Sequence, residues 1–148
     1  MWRFFNFLLL CLFLNGLRAT SEVNVRLCRG HQSSVAQQWQ YIRDDHAIRL
    51  VHSQLCLTTH KNQSSSVSLS QCETGLNFSQ VWSLNPQNGE LTALNGKCFG
   101  VNYKKLLRPF VEITPCTGGD NQHWIWKNIA GGILQSKRPW KRCLTAVK

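Results

Sequence analysis

A tripeptide of the form Gln-x-Trp occurs three times, as Gln37-Gln38-Trp39, Gln80-Val81-Trp82 and Gln122-His123-Trp124, with the tryptophans 43 and 42 residues apart. The surroundings repeat with it. An alternating apolar pair leading to a cysteine precedes each copy: Val23-x-Val25-x-x-Cys28, Val67-x-Leu69-x-x-Cys72 and Val111-x-Ile113-x-x-Cys116. A second cysteine opens each unit and is followed by a bulky apolar and then a small residue, in Cys56-Leu57-Thr58, Cys98-Phe99-Gly100 and Cys143-Leu144-Thr145. Nine residues after each tryptophan stands an aliphatic side chain: Ile48, Leu91 and Ile133. Such a period constrains architecture before any local propensity does. Each copy is one supersecondary unit that buries its apolar face only against its neighbours.

One copy is divided between the ends of the chain, its opening half at Cys143-Leu144-Thr145 and its closing half at Val23 to Trp39. From Trp124 to Lys148 is 24 residues and from Ser21 to Trp39 is 19 inclusive, and head to tail these give the 43 of the repeat. The two ends are therefore expected to meet. Ahead of this unit, Arg3, the apolar run Phe4–Leu14 and small residues near Ala19 and Thr20 predict a secretory signal peptide over residues 1–20. The run is short for a membrane span, and no later stretch is apolar enough to be one. The expectation is a secreted, extracellular protein without membrane insertion, with a single domain over residues 21–148.

Cys11 falls in the leader, which leaves six cysteines in an oxidising compartment and predicts three disulfides. Cys56 with Cys72 and Cys98 with Cys116 sit at equivalent places in two units. The same rule pairs Cys28 with Cys143, stapling the termini.

Short alternating runs separated by Gly, Asn, Ser and Pro clusters, such as Asn85-Pro86 to Gly89 and Gly118-Gly119-Asp120, predict an all-β domain. A propeller has blades of similar length, but needs at least about four of them. Three stapled units fit a β-trefoil of three four-strand units, one split across the termini. The pattern Cys-Leu…Val-x-Leu-x-x-Cys…Gln-x-Trp resembles the ricin-type β-trefoil lectin family over essentially all of residues 21–148. The segment Lys97-Cys98-Phe99-Gly100-Val101, with Val111 to Cys116 and Gln122-His123-Trp124, is most similar to the cysteine-rich domain of mannose-receptor-type proteins.

The resemblance implies a carbohydrate-binding module and tells where a galactose cup would lie. In such a cup an aspartate stands two residues after the opening cysteine. An aromatic stands two before the closing cysteine, and an asparagine stands just before the Gln-x-Trp glutamine. Here those positions hold Thr58, Ser70 and Ser79; Gly100, Thr114 and Asn121; and Thr145, Arg26 and Ala36. Asn121 alone matches. Without a carboxylate each cup lacks its charge-assisted acceptor, so galactose-type cups are expected to be degenerate. The glutamines and tryptophans of the repeat are then structural.

Removal of the leader takes Arg3 and Arg18 from 17 basic residues, leaving 15 against 7 acidic ones, a net charge of +8. That balance favours anionic partners. Two basic runs stand out: Tyr103-Lys104-Lys105-Leu106-Leu107-Arg108, and Lys137-Arg138-Pro139-Trp140-Lys141-Arg142. Trp140 lies outside the repeat, free to form a surface platform. The candidate ligand residues are Asn121, Lys104, Lys105, Arg108, Lys137, Arg138, Trp140, Lys141 and Arg142, and the candidate ligand is a sulfated or sialylated glycan. The competing reading for these runs is a solvated basic face. A protein receptor recognised through loops is a further alternative; nucleic acid is disfavoured by secretion and by the absence of a recognised module.

Asn62-Gln63-Ser64 and Asn77-Phe78-Ser79 are glycosylation acceptors in a secreted chain. Asp44-Asp45-His46 is expected to be a polar turn. The histidines show no metal-ligand spacing, no cysteine pair is a C-x-x-C, and no cofactor is expected. A small basic secreted ribonuclease-like enzyme is the contrasting class. It needs two histidines and a lysine gathered for acid–base work, drawn here from His31, His46, His52, His60 and His123. The triple repeat has no place in that fold, and the chain is expected not to be an enzyme.

Overall fold

Alternation of apolar and polar residues puts every second side chain on one face. At Val23–Val25, Val67–Leu69 and Val111–Ile113 the chain forms strands, and these six apolar residues are all buried. The computed structural model describes residues 21–29, 34–61, 63–75, 77–105 and 107–147. The expected leader, His31, Asn62 and Leu106 lie outside them.

The strands fall into three groups. The first whole unit holds β4 (Leu55–His60), β5 (Gln63–Gln71), β6 (Trp82–Leu84) and β7 (Leu91–Ala93). The second holds β8 (Cys98–Asn102), β9 (Phe110–Thr114), β10 (Trp124–Trp126) and β11 (Leu134–Ser136). The split unit opens with β12 (Cys143–Val147) and continues at the other end of the chain with β1 (Ser21–Arg26), β2 (Trp39–Ile42) and β3 (Ala47–Leu50). In each unit the first two strands pair antiparallel and a disulfide joins them or their flanks: Cys56–Cys72, Cys98–Cys116 and Cys28–Cys143. The termini meet along β1 and β12, with Val23 opposite Ala146 and Val25 opposite Leu144. β1 also pairs with β5, and β5 packs on β9, so the three strand pairs close on one another. The hairpins β2–β3, β6–β7 and β10–β11 complete the units. This is a β-trefoil.

The repeated tryptophan ties each unit together. A buried indole N–H needs an acceptor. Trp82 Nε1 donates to the Leu57 carbonyl, Trp124 Nε1 to that of Phe99 and Trp39 Nε1 to that of Leu144, each at 2.9 Å. In every case the acceptor follows the cysteine that opens the unit. Phe99 also stacks on Trp124 at 5.0 Å and meets Trp82 edge-on at 5.5 Å. The backbone of each tryptophan reaches the preceding unit. Trp82 N donates to His46 O at 2.8 Å, Trp124 N to Gly89 O at 2.9 Å and Trp39 N to Gly132 O at 2.9 Å. Gly89 has φ +77°, and a Cβ there would overlap the Trp124 carbonyl oxygen, so this junction requires glycine.

The aliphatic residues nine positions after the tryptophans are not equivalent in the fold. Ile48 and Leu91 are fully buried, but in the second unit the core residue is Leu134, and Ile133 is half-buried. Register explains the difference. Tyr41 faces Ile48, Leu84 faces Leu91, and Trp126 faces Leu134. The β10–β11 turn carries one extra residue, which moves the inward position from nine to ten after the tryptophan.

Candidate functional site

The hydroxyls at the galactose-cup positions Thr58, Ser70, Thr114 and Thr145 are engaged by internal hydrogen bonds. Gln80 Nε2 donates to Thr58 Oγ1 at 3.1 Å, Ser70 Oγ at 3.1 Å and Gln71 O at 2.9 Å, while its Oε1 accepts from Glu73 N at 3.1 Å. Gln37 Nε2 donates to Thr145 Oγ1 at 2.9 Å and Leu27 O at 3.1 Å, and its Oε1 accepts from Arg29 N at 3.0 Å. Gln122 Nε2 finds Thr114 Oγ1 and Pro115 O, both at 3.0 Å. The hydroxyls that stand in for the cup aspartate are thus locked to the glutamine of their own unit. In the second unit the position is Gly100, where a Cβ would come within 2.9 Å of Asn121 O and Gln122 Cγ. No longer side chain fits there without displacing the turn.

Asn121, the residue that matches a cup by type, turns toward the barrel wall and donates through Nδ2 to Val101 O at 3.3 Å. It sits in a 3-10 turn, Asp120–Gln122, that neighbours one of the basic runs: Asp120 Oδ1 lies 3.7 Å from Lys137 Nζ.

The fold draws the two basic runs together. Tyr103, at the head of the first, packs edge-on against Trp140 of the second, with centroids 5.0 Å apart and ring planes at 84°. Tyr103 OH lies 3.2 Å from Ser136 Oγ, which in turn accepts from Arg142 N at 3.0 Å. Trp140 remains 44% exposed. Lys104, Lys105 and Arg108 of the first run and Lys137, Arg138 and Lys141 of the second are exposed, and Arg142 is half-buried. Leu107, in the first run, is 98% exposed. Among the described residues Asp120 is the one carboxylate that pairs with any of these cations.

Two features escaped the sequence. Arg26 and Arg29 share a depression of about 590 Å³ with Arg142. The signal for it was Arg26 standing at the aromatic position of the split unit. The other is a cleft of about 780 Å³ between the hairpins, lined by Tyr41, Arg43, His46, Trp126, Ile129 and Lys137 among others. In it Tyr41 donates to Trp82 O at 2.8 Å, and burial raises its pKa despite the opposing charge of Arg43.

Asp44-Asp45-His46 forms the β2–β3 turn, with His46 Nδ1 3.0 Å from Tyr41 OH. His60 bonds Ser68 at 2.7 Å between β4 and β5, and His123 Nδ1 lies 3.8 Å from Asp120, beyond hydrogen-bond reach. Glu90, Cys98 and Cys116 come close enough to hold a metal, but both sulfurs are in one disulfide and cannot offer thiolates. Asn77 caps a 3-10 turn by accepting from Ser79 N at 3.0 Å. No helix of the described residues is long and apolar enough to cross a membrane.

The model of the ricin-type beta-trefoil lectin domain matches residues 6–124. The chain belongs to that family, whose domains are carbohydrate-binding modules. No curated protein matches the chain.

Proposed function

We propose that this protein is a secreted, non-enzymatic lectin-like module that binds anionic glycans, sulfated or sialylated, on the surface around Tyr103 and Trp140. The observation that carries the reading is the ring contact between them. It brings Tyr103 of one basic run against Trp140 of the other, 37 positions further along the chain. An aromatic of which 44% is exposed, in contact with one basic run and itself part of another whose Arg138 and Lys141 are exposed, offers a flat apolar contact in a cationic stretch. A sugar ring bearing a sulfate or carboxylate presents the complementary pair of features. The three cups, which lack the aspartate and the aromatic and whose hydroxyls at Thr58, Ser70, Thr114 and Thr145 bond the glutamine of their own unit, direct the ligand away from neutral galactose. The expected leader and the three disulfides, which persist in oxidising compartments, support the reading of secretion. Asn62 and Asn77 are the proposed acceptors of N-linked glycan.

The test is an array of sulfated, sialylated and neutral glycans with heparin fragments, at two salt concentrations. Wild type is run beside a variant with Trp140→Ala, Arg138→Gln and Lys141→Gln. Binding selective among anionic glycans and lost in the variant is the expected result. Binding to every anion alike that disappears at modest salt overturns the lectin reading in favour of a basic surface. Absence of binding overturns it in favour of a protein partner.

A further inference from the structure

The loop between β8 and β9 carries a leucine that the fold leaves uncovered. Asn102 faces Phe110 across the two strands, so residues 103–109 leave the sheet and return at one place. Both feet of this loop are fastened. Tyr103 packs on the core and Pro109 is buried. Asn102 Oδ1 accepts from Lys104 N at 2.9 Å, while its Nδ2 donates to Glu112 Oε1 at 2.8 Å. Further out, Arg108 N donates to Lys105 O at 3.0 Å, which reverses the chain, and Leu107 stands in that reversal with 98% of its surface in water. Turn positions favour Gly, Pro, Asn, Asp and Ser, whose backbone or side chain supports the bend. Leucine supplies neither property. In the first unit β4 ends at His60 and β5 begins at Gln63, so the repeat does not itself call for so long an excursion.

A single exposed leucine is ordinary on a folded protein. This one has company. Phe110, at one foot of the loop, is exposed, and Trp140 is exposed against Tyr103 at the other. Cations accompany them in sequence: Lys104, Lys105 and Arg108 share the loop with Leu107, and Arg138 and Lys141 flank Trp140. Among the described residues no carboxylate pairs with any of these five. The three kinds of group match three levels of a bilayer boundary. An aliphatic tip suits the edge of the acyl region, aromatic rings suit the headgroup level, and cations suit the negative surface potential of anionic lipid. A protein partner suits them less. Lysine is depleted at protein interfaces, yet Lys104, Lys105 and Lys141 are three of the five cations. A lysine ammonium is a hydrated point charge, which a field of headgroups satisfies without fixed geometry.

We infer that the β8–β9 loop is a shallow anchor that docks this module on the surface of an anionic phospholipid bilayer, with Leu107 entering the edge of the acyl region and Lys104, Lys105 and Arg108 meeting the headgroups. The docking is peripheral and reversible. One leucine makes a marginal anchor, so binding needs the apolar tip and the cations together. This goes beyond the glycan reading and stands without it. The feature it adds is the leucine in the chain reversal, which takes no part in the Tyr103–Trp140 ring contact.

The experiment measures co-sedimentation of the protein with vesicles of phosphatidylcholine, with and without phosphatidylserine, at physiological salt. Binding to the phosphatidylserine vesicles, and not to phosphatidylcholine alone, is expected. Leu107→Ser, at a side chain exposed enough to be compatible with folding, should weaken that binding at least about tenfold, the loss of one buried leucine. Lys104→Gln and Lys105→Gln should each weaken it about fivefold. Leu94→Ser removes another exposed leucine, before the start of β8 rather than after its end, and should leave binding unchanged. Leu107→Trp places an indole at the tip, and bromine-labelled acyl chains should quench its fluorescence. Full binding by Leu107→Ser, or no quenching in Leu107→Trp, overturns the anchor and leaves a basic surface that attracts anions without insertion. Equal loss in Leu94→Ser overturns it too. No binding of wild type to either vesicle overturns it in favour of a protein contact at Leu107. The vesicles carry no sugar, so failure of the glycan reading leaves this test untouched, and Leu107→Ser should retain whatever glycan binding the wild type shows.

Discussion

Removing the Cys28–Cys143 disulfide should cost more stability than removing either of the others, by an amount the chain path sets. Its cysteines are 115 residues apart, against 16 for Cys56–Cys72. In the unfolded chain the two inner bridges shorten the path between Cys28 and Cys143 to about 80 residues. On the loop-entropy relation the long closure is then worth about 4.5 kcal/mol at 25 °C and the short one about 3.1 kcal/mol. The comparison is clean because packing losses match. Each pair contains one buried sulfur, Cys143 at 0% or Cys56 at 1% exposure, and one half-buried partner. The variants are Cys28→Ala/Cys143→Ala and Cys56→Ala/Cys72→Ala, and the assay is urea unfolding followed by tryptophan fluorescence. The first should be less stable than the second by about 1.4 kcal/mol, a factor of about ten in the folding equilibrium. Equal free energies, or the opposite order, would refute the argument. The termini would then already be held near one another in the unfolded chain, and closing them would gain nothing.

Leu134→Ala should cost about 2–5 kcal/mol, as for a fully buried leucine, while Ile133→Ala should cost less than about 1 kcal/mol; thermal unfolding of the two distinguishes the ten-residue register from the nine-residue one. Gly100→Ala should destabilise by about 1–3 kcal/mol because its Cβ meets Asn121 O and Gln122 Cγ at 2.9 Å, and calorimetry would show whether the turn yields instead. Burial raises the Tyr41 pKa above its ordinary 10.0, so the folded state holds that proton more tightly than the unfolded chain. Its contribution is complete below about pH 10 and is lost as pH rises through the raised value. Stability measured across alkaline pH should fall more steeply in wild type than in Tyr41→Phe, although the latter starts lower for want of the bond to Trp82 O.

The period of the tryptophans and cysteines carried the trefoil, the split unit and the three pairings, because each is a consequence of one unit repeated. Where a unit departs from its siblings, the period misleads. The extra residue in the β10–β11 turn moved the inward side chain to Leu134, a change that no spacing rule anticipates because turns absorb insertions without altering the strands. The cups were legible as lacking aspartate and aromatic. Only the structure shows why they could not easily regain them, since Gln80 and Gln37 hold the Thr58 and Thr145 hydroxyls and Gly100 has no room for a side chain.

The basic residues were visible in the sequence as two runs, and their chemistry with them. That Tyr103 would lie against Trp140, and that Arg26 and Arg29 would share a space with Arg142 from the far end of the chain, depends on which way side chains leave strands and loops after the barrel has closed. A repeat determines which units meet because burial of the apolar face is common to all of them. It leaves open what gathers on the polar surface, where no shared packing demand selects one arrangement and long-range closure alone decides which charges become neighbours.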